Sequence, residues 1–160
     1  MRKISYLLAA SLIAFSACQT SYKKGEEGME YKIISNGSGE TVKNGQFMEI
    51  HFNNLLTRTG KKDSTLASTR EMGSPQIVPF DSAQLPPAYY KLFKQMKKGD
   101  SLSTRTLVDS LFKKNPKSMP PFMKTGDYVY TNITLNNIYK TQQAADSAKN
   151  IAMAAAEKNW

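Results

Sequence analysis

Residues 85–100 read LPPAYYKLFKQMKKGD, and whether this segment lies on a membrane or inside a domain decides how the rest of the chain is read. Pro86 and Pro87 suit the start of a helix, where a missing N–H costs little. Tyr89, Leu92, Phe93 and Met96 then recur at three- and four-residue steps, which places them on one face. Gly99 is expected to stop the helix, with Lys97 and Lys98 well placed against the negative end of its dipole. A basic amphipathic helix of this kind suits a membrane surface. Tyrosine, phenylalanine and methionine at helical spacing beside strands serve more often as core.

Strand-forming segments lie on both sides of it. MEYKIIS (29–35) is rich in strand formers, and NGSGE supplies turn residues. In QFMEIHFNNLL, Met48, Ile50 and Phe52 alternate with Glu49, His51 and Asn53, the period-two signature of a half-buried strand. TRTGKKDST breaks that strand, and residues 66–74 are expected to be irregular. PQIVPF reads as a short edge strand, since Pro75 and Pro79 cannot donate to a ladder. Beyond the helix, DSLSTRTLVD and DYVYTNITLNNIY read as strands, separated by a long proline-containing loop. The alanine-rich end, TQQAADSAKNIAMAAAEKNW, is helical by propensity and has a thin apolar face. The expected fold is α+β: an antiparallel sheet, one short packed helix and a C-terminal helical tail.

The first residues follow other rules. Arg2 and Lys3 precede an apolar run from Ile4 to Phe15, and Ser16 and Ala17 are small. That is the layout of a secretory signal, too short to span a bilayer. The only cysteine, Cys18, follows directly and cannot form an internal disulfide. Its setting resembles a bacterial lipobox, which implies cleavage before Cys18 and lipid attachment to it. Gln19 does not resemble the aspartate that retains lipoproteins at the inner membrane, so an outer-membrane anchor facing the periplasm is expected. The chain then divides into a signal peptide (1–17), a polar tether (18–28), one domain (29–139) and the tail (140–160). Without Arg2 and Lys3 the chain carries 20 basic and 13 acidic residues. In an exported protein that excess suits a solvated surface near anionic lipid better than nucleic acid.

Several chemistries find no support in the residues. His51 is the only histidine and points away from Ile50 and Phe52 by alternation; no G-x-S-x-G elbow accompanies it. One histidine and one lipidated cysteine cannot build a structural zinc site. Neither a P-loop nor a dinucleotide fingerprint is present, and no cofactor is expected.

The order of short motifs between Met29 and Tyr139 resembles the FKBP-type peptidyl-prolyl isomerase domain. GMEYKIISNGSGETVKNGQFMEIHF is similar to that family's opening, with His51 and Phe52 where the family has His-Tyr. GKKDST resembles its G-x-x-F-D-S-S and puts Asp63 on the pocket aspartate. LPPAYYKLFKQMKKGD resembles V-I-P-G-W-x-x-G-L-x-x-M-x-x-G-x and puts Tyr89 where the floor tryptophan stands. The resemblance implies a bent antiparallel sheet wrapped around one short helix, with a proline-binding pocket between them. Phe52 and Tyr89 are then expected as wall and floor, Asp63 as the orienting charge, and Leu85 as an apolar contact and a possible carbonyl-binding N–H. A gapless count puts Pro86 at that donor position, and a one-residue shift puts Leu85 there. Phe112 in the flap loop and Thr131 in the last strand complete the expected substrate contacts. Departures from the pattern are Lys62, Gln76 and Thr131 at positions where the family carries pocket phenylalanines.

The resemblance implies a peptidyl-prolyl isomerase assisting folding in the envelope, acting on proline-containing polypeptides, monomeric and needing no metal. The alternative is a catalytically inactive FKBP-like binding or chaperone module on the same lipid anchor.

Overall fold

In the computed structural model the described residues are 21–158; the expectations for the signal segment and for Cys18 fall outside them. In chain order the elements are β1 (Lys23–Lys24), β2 (Met29–Ile34), β3 (Ser38–Thr41), β4 (Phe47–Thr57), β5 (Ser64–Ser68) and β6 (Gln76–Pro79). Then follow α1 (Pro87–Phe93), β7 (Lys97–Lys98), β8 (Ser101–Leu107), α2 (Val108–Leu111), β9 (Tyr128–Tyr139) and α3 (Gln142–Glu157). The main sheet is antiparallel with the order β1-β2-β8-β9-β4-β5, and β6 pairs with the first half of β4. β3 and β7 form a separate two-stranded ribbon.

Alternation assigns the two faces. Ile33, Leu102, Ile133 and Phe52 stand in register across β2, β8, β9 and β4 and share the face toward α1. Leu92, Phe93 and Met96 close on them from the helix side, with Val42, Met48, Phe80 and Leu135 completing one core. Burying each of these side chains contributes about 1.5–3 kcal/mol. Phe80 stacks on Tyr90 at 4.6 Å and 8°, which fixes α1 against the end of β6. The expected placement of the 85–100 segment in the core is what the fold requires.

Its end differs from expectation. The helix stops at Phe93, because Gln95 and Met96 donate to the Leu92 and Phe93 carbonyls in tighter turns. Lys97 and Lys98 are strand residues pairing with Thr41 and Ser38, not the last helical turn. Gly99 serves instead at φ +95°, turning the chain into β8. The 66–74 segment is also more ordered than expected, since β5 continues through Ser68. Within the loop after β8, Val108–Leu111 is helical because Val108 N–H is held by the Asp127 carbonyl.

The cause of the turn at Gly99 is Asp100, whose residue is 2% exposed. Its carboxylate accepts Gly37 N–H at 2.7 Å and Lys97 N–H at 2.8 Å. Gly37 has to be glycine, since an added Cβ would lie 2.5 Å from the Lys98 carbonyl oxygen and 2.6 Å from Asp100 Oδ1. The tail helix starts on a capped turn, Thr141 Oγ1 accepting Ala144 N–H at 3.2 Å, and Ala145 is its buried contact. Asp100→Ala removes the acceptor of two part-buried N–H groups and is expected to lower the unfolding free energy by about 1–3 kcal/mol. Gly37→Ala should do similar damage through its clash. Urea unfolding followed by circular dichroism measures both, and a parent-like midpoint for Asp100→Ala would contradict this role.

Candidate functional site

The start of α1 and the face of the sheet above it hold most of the residues singled out in the sequence. Pro86 sits immediately before the helix with φ −54° and ψ 136°, and its carbonyl accepts Tyr90 N–H at 2.9 Å. Tyr89 is the third helical residue. Its hydroxyl and Thr104 Oγ1 share a hydrogen bond of 3.2 Å, and Thr104 is 2% exposed, so the ring is pinned to β8. Phe52, Leu85 and Tyr89 are half-buried and pack on the same core. Thr131 is in register with Thr104 on one side and Asn54 on the other. Asn54, Thr104 and Thr131 therefore form a polar row on the helix-facing side of the sheet. Asn54 and Thr104 were missed in the sequence, although their even spacing from Phe52 and Leu102 assigns them to that face.

Asp63 is not brought to this place. β5 pairs Ser64 with Leu56 and Ser68 with Asn53, so Asp63 is exposed at the tip of the β4–β5 hairpin. Five residues of strand separate it from Ser68, roughly 17 Å. The residue beside Phe52 is Thr69, which is fully buried. Thr69 Oγ1 accepts Phe52 N–H at 3.0 Å, lies 3.2 Å from the Phe52 carbonyl and 2.9 Å from His51 Nδ1. The motif resemblance that pointed to Asp63 rests on its spacing from Gly60, whereas the pairing of β5 with β4 leaves Asp63 at the hairpin tip. His51 thus has a structural partner on the outer face. Phe112 is half-buried at the end of α2, its N–H donating to the Val108 carbonyl at 3.1 Å.

Neither residue proposed as the carbonyl-binding donor has a free N–H. Pro86 has none, and Leu85 N–H donates to the Asp81 carbonyl at 3.0 Å. The Asp81 side chain tightens the same turn by accepting Ala83 N–H at 2.9 Å. The expected donor at Leu85 is corrected by that bond.

Two clefts lie to either side of this region. One, of about 430 Å³, runs between α3 and β6 over Phe47, Ile77, Pro79 and Ala145. The other, of about 390 Å³, lies between residues 24–31 and the outer side of α1, over Met29, Tyr31, Ala88 and Leu92. Phe52, Asp63, Leu85 and Tyr89 line neither. The loop from α2 to β9 is closed by Asp109, whose carboxylate accepts Gly126 N–H at 2.8 Å; that bond holds the carboxyl below its ordinary pKa.

The architecture now bears comparison with solved structures. The N-terminal domain of FKBP42 from Arabidopsis thaliana matches 74% of this chain and 92% of its own, with a TM-score of 0.52 at 11% identity. The chain has an FKBP-like fold. FkpA from Escherichia coli gives a TM-score of 0.51 at 18% identity over 74% of this chain. The match spans about half of the FkpA chain, 51%. No family model matches the sequence, and no curated protein does so either. The likeness covers the antiparallel sheet and its helices as an overall fold.

Two outcomes test the local geometry. Thr69→Val keeps the shape but leaves Phe52 N–H unpaired, and should cost about 1–3 kcal/mol in urea unfolding, with Thr69→Ser close to the parent. The Asp109 contact is complete above the ordinary aspartate pKa of about 3.9 and is lost as pH falls through the lowered value. The Gly126 amide proton resonance should therefore titrate in that acid range, and Asp109→Asn should abolish the titration.

Proposed function

We propose that this chain is a lipid-anchored, envelope-facing polypeptide-binding protein that assists folding and turns over Xaa–Pro bonds slowly. It engages proline-containing segments of non-native chains at the helix-facing surface around Tyr89. Support comes from the FKBP-like fold, from the pinned Tyr89 ring, and from a signal segment followed by Cys18. The outer membrane, facing the periplasm, is the proposed site, and the protein acts as a monomer without a cofactor.

The observation that carries the reading is that neither residue expected as the carbonyl-binding donor, Leu85 or Pro86, offers a free backbone N–H. Rotation about a prolyl amide faces a barrier of roughly 18–20 kcal/mol from resonance. No acid, base or nucleophile is needed to lower it. A protein need only bind the twisted amide better than the planar one. An apolar surface contributes by removing water from a carbonyl whose charge falls on twisting, and by holding the proline ring. A donor to the substrate carbonyl fixes the rest of the amide while the prolyl side rotates. With Pro86 at that place and Leu85 N–H engaged, this contribution is missing. Its loss costs about 1–3 kcal/mol of preference, or roughly ten- to a hundredfold in rate. The polar row Asn54, Thr104 and Thr131 further lowers the affinity for a proline ring. A second reading, binding with no turnover, is favoured by that row alone.

Isomerisation assays coupled to proteolysis of Xaa–Pro peptides test the proposal. The parent should accelerate weakly, and Pro86→Ala, which restores an N–H, should raise kcat/KM by about tenfold or more. An unchanged rate in a folded Pro86→Ala protein would count against the missing donor as the cause. No acceleration in either protein, with peptide binding retained, would favour the second reading. No binding of any proline-containing chain would sink both.

A further inference from the structure

The segment expected to be a loose tether is fastened to the sheet almost at its start. Tyr22 lies on the outer face, away from α1, and its hydroxyl shares a 2.8 Å hydrogen bond with Ser103 Oγ. Arg105 stacks over the Tyr22 ring at 4.4 Å, and Lys32 Nζ stands 4.9 Å from the ring centroid. Tyr130 meets the same ring edge-on at 6.5 Å. Arg105 is itself fixed by Glu30, Nε to Oε2 at 2.5 Å. After Tyr22 the chain adds β1 to the edge of β2, and Gly25 N–H donates to the Met29 carbonyl at 2.7 Å.

We infer that the outer face around Tyr22 is the membrane-facing surface of the protein, laid against anionic headgroups of the bilayer that holds its anchor. The inference rests on the lipid-anchor reading of Cys18. Covalent geometry supplies the first argument. From Cys18 to Tyr22 the chain reaches at most about 14 Å, at roughly 3.5 Å per residue. Were the fold to begin only at Met29, the reach would be about 38 Å, longer than the radius of gyration of about 14 Å expected for a domain of this size. The first tether confines the domain; the second would let it tumble.

Charge supplies the second argument. Lys23 and Lys24 are exposed and take no part in the ion pairs among the described residues. The acids that follow them are engaged elsewhere: Glu26 pairs with Lys91 on α1, and Glu27 lies 3.8 Å from Lys114. Glu30 is neutralised by Arg105. Lys23, Lys24 and Lys32 therefore stand beside the anchor point as uncompensated cations, within about one Debye length of a surface the tether keeps close. With this face down, α1 and Tyr89 are on the far side of the sheet, open to polypeptides from the envelope space.

The test uses the full lipidated protein in vesicles of phosphatidylethanolamine and phosphatidylglycerol containing a nickel-chelating lipid. Spin labels are placed at Thr134→Cys on the outer face or at Lys94→Cys on the far side, both exposed positions. The label at 134 is expected to relax faster than the label at 94. Tyr22→Ala should lose that difference, and Lys23→Gln/Lys24→Gln should diminish it while keeping the clamp, which guards against misfolding of the tyrosine variant. Equal relaxation at the two sites in protein whose mass shows acylated Cys18 overturns the orientation alone. An unmodified Cys18 mass overturns the anchor reading, and the membrane face with it.

Discussion

The buried Asp100 carboxylate is the constraint on which the architecture turns. Two N–H groups from separate parts of the chain, at Gly37 and Lys97, converge on it. Its own backbone joins β7 to β9 through Lys97 and Leu135. In one place the carboxylate fixes the chain after the helix, at the turn into β8, and holds the turn after β2. Because the helix is held at its C-terminal side, Leu92, Phe93 and Met96 meet the sheet in one register. That register presents Tyr89 to Thr104. The position of the candidate site is thus set from the opposite end of α1.

The helix-facing surface mixes aromatic and polar groups. An aromatic ring rises from the first turn of the helix, and its hydroxyl is tied to a threonine. The neighbours in register on β9 and β4 are Thr131 and Asn54. Amide, hydroxyl and phenol groups offer an extended peptide hydrogen-bonding partners, whereas a proline ring gains most from apolar walls.

How much of this was legible in the sequence depended on the range of the interaction. The strands announced themselves through alternation, as in Met48, Ile50 and Phe52, because burial on one face acts residue by residue. The 85–100 helix was legible from the spacing of Tyr89, Leu92, Phe93 and Met96. Its end was not, since Gly99 and the two lysines carry the local marks of a helix stop while the deciding partner, Gly37, is sixty residues away. Asp63 stands at the tip of the β4–β5 hairpin, and only the pairing of β5 with β4 shows that Thr69 is the residue beside Phe52. Leu85 looked available because the turn that engages its N–H depends on the Asp81 carbonyl folding back, a matter of conformation more than composition. The clamp at Tyr22 lay in a segment whose lysines and glycines read as linker, and its aromatic and arginine partners come from three other strands.

The divided pairing of β4 has a consequence for self-association. β9 covers one side of this long strand, while β6 and β5 share the other in sequence. The sheet consequently ends in short pieces: two residues of β1 at one margin, and four or five residues of β6 and β5 at the other. Pro79 interrupts the ladder of β6, and α3 lies across it. Margins this brief give a second copy few free N–H and C=O groups in a row on which to build a continued sheet. Resistance to strand-by-strand aggregation is thereby written into how one strand divides its partners.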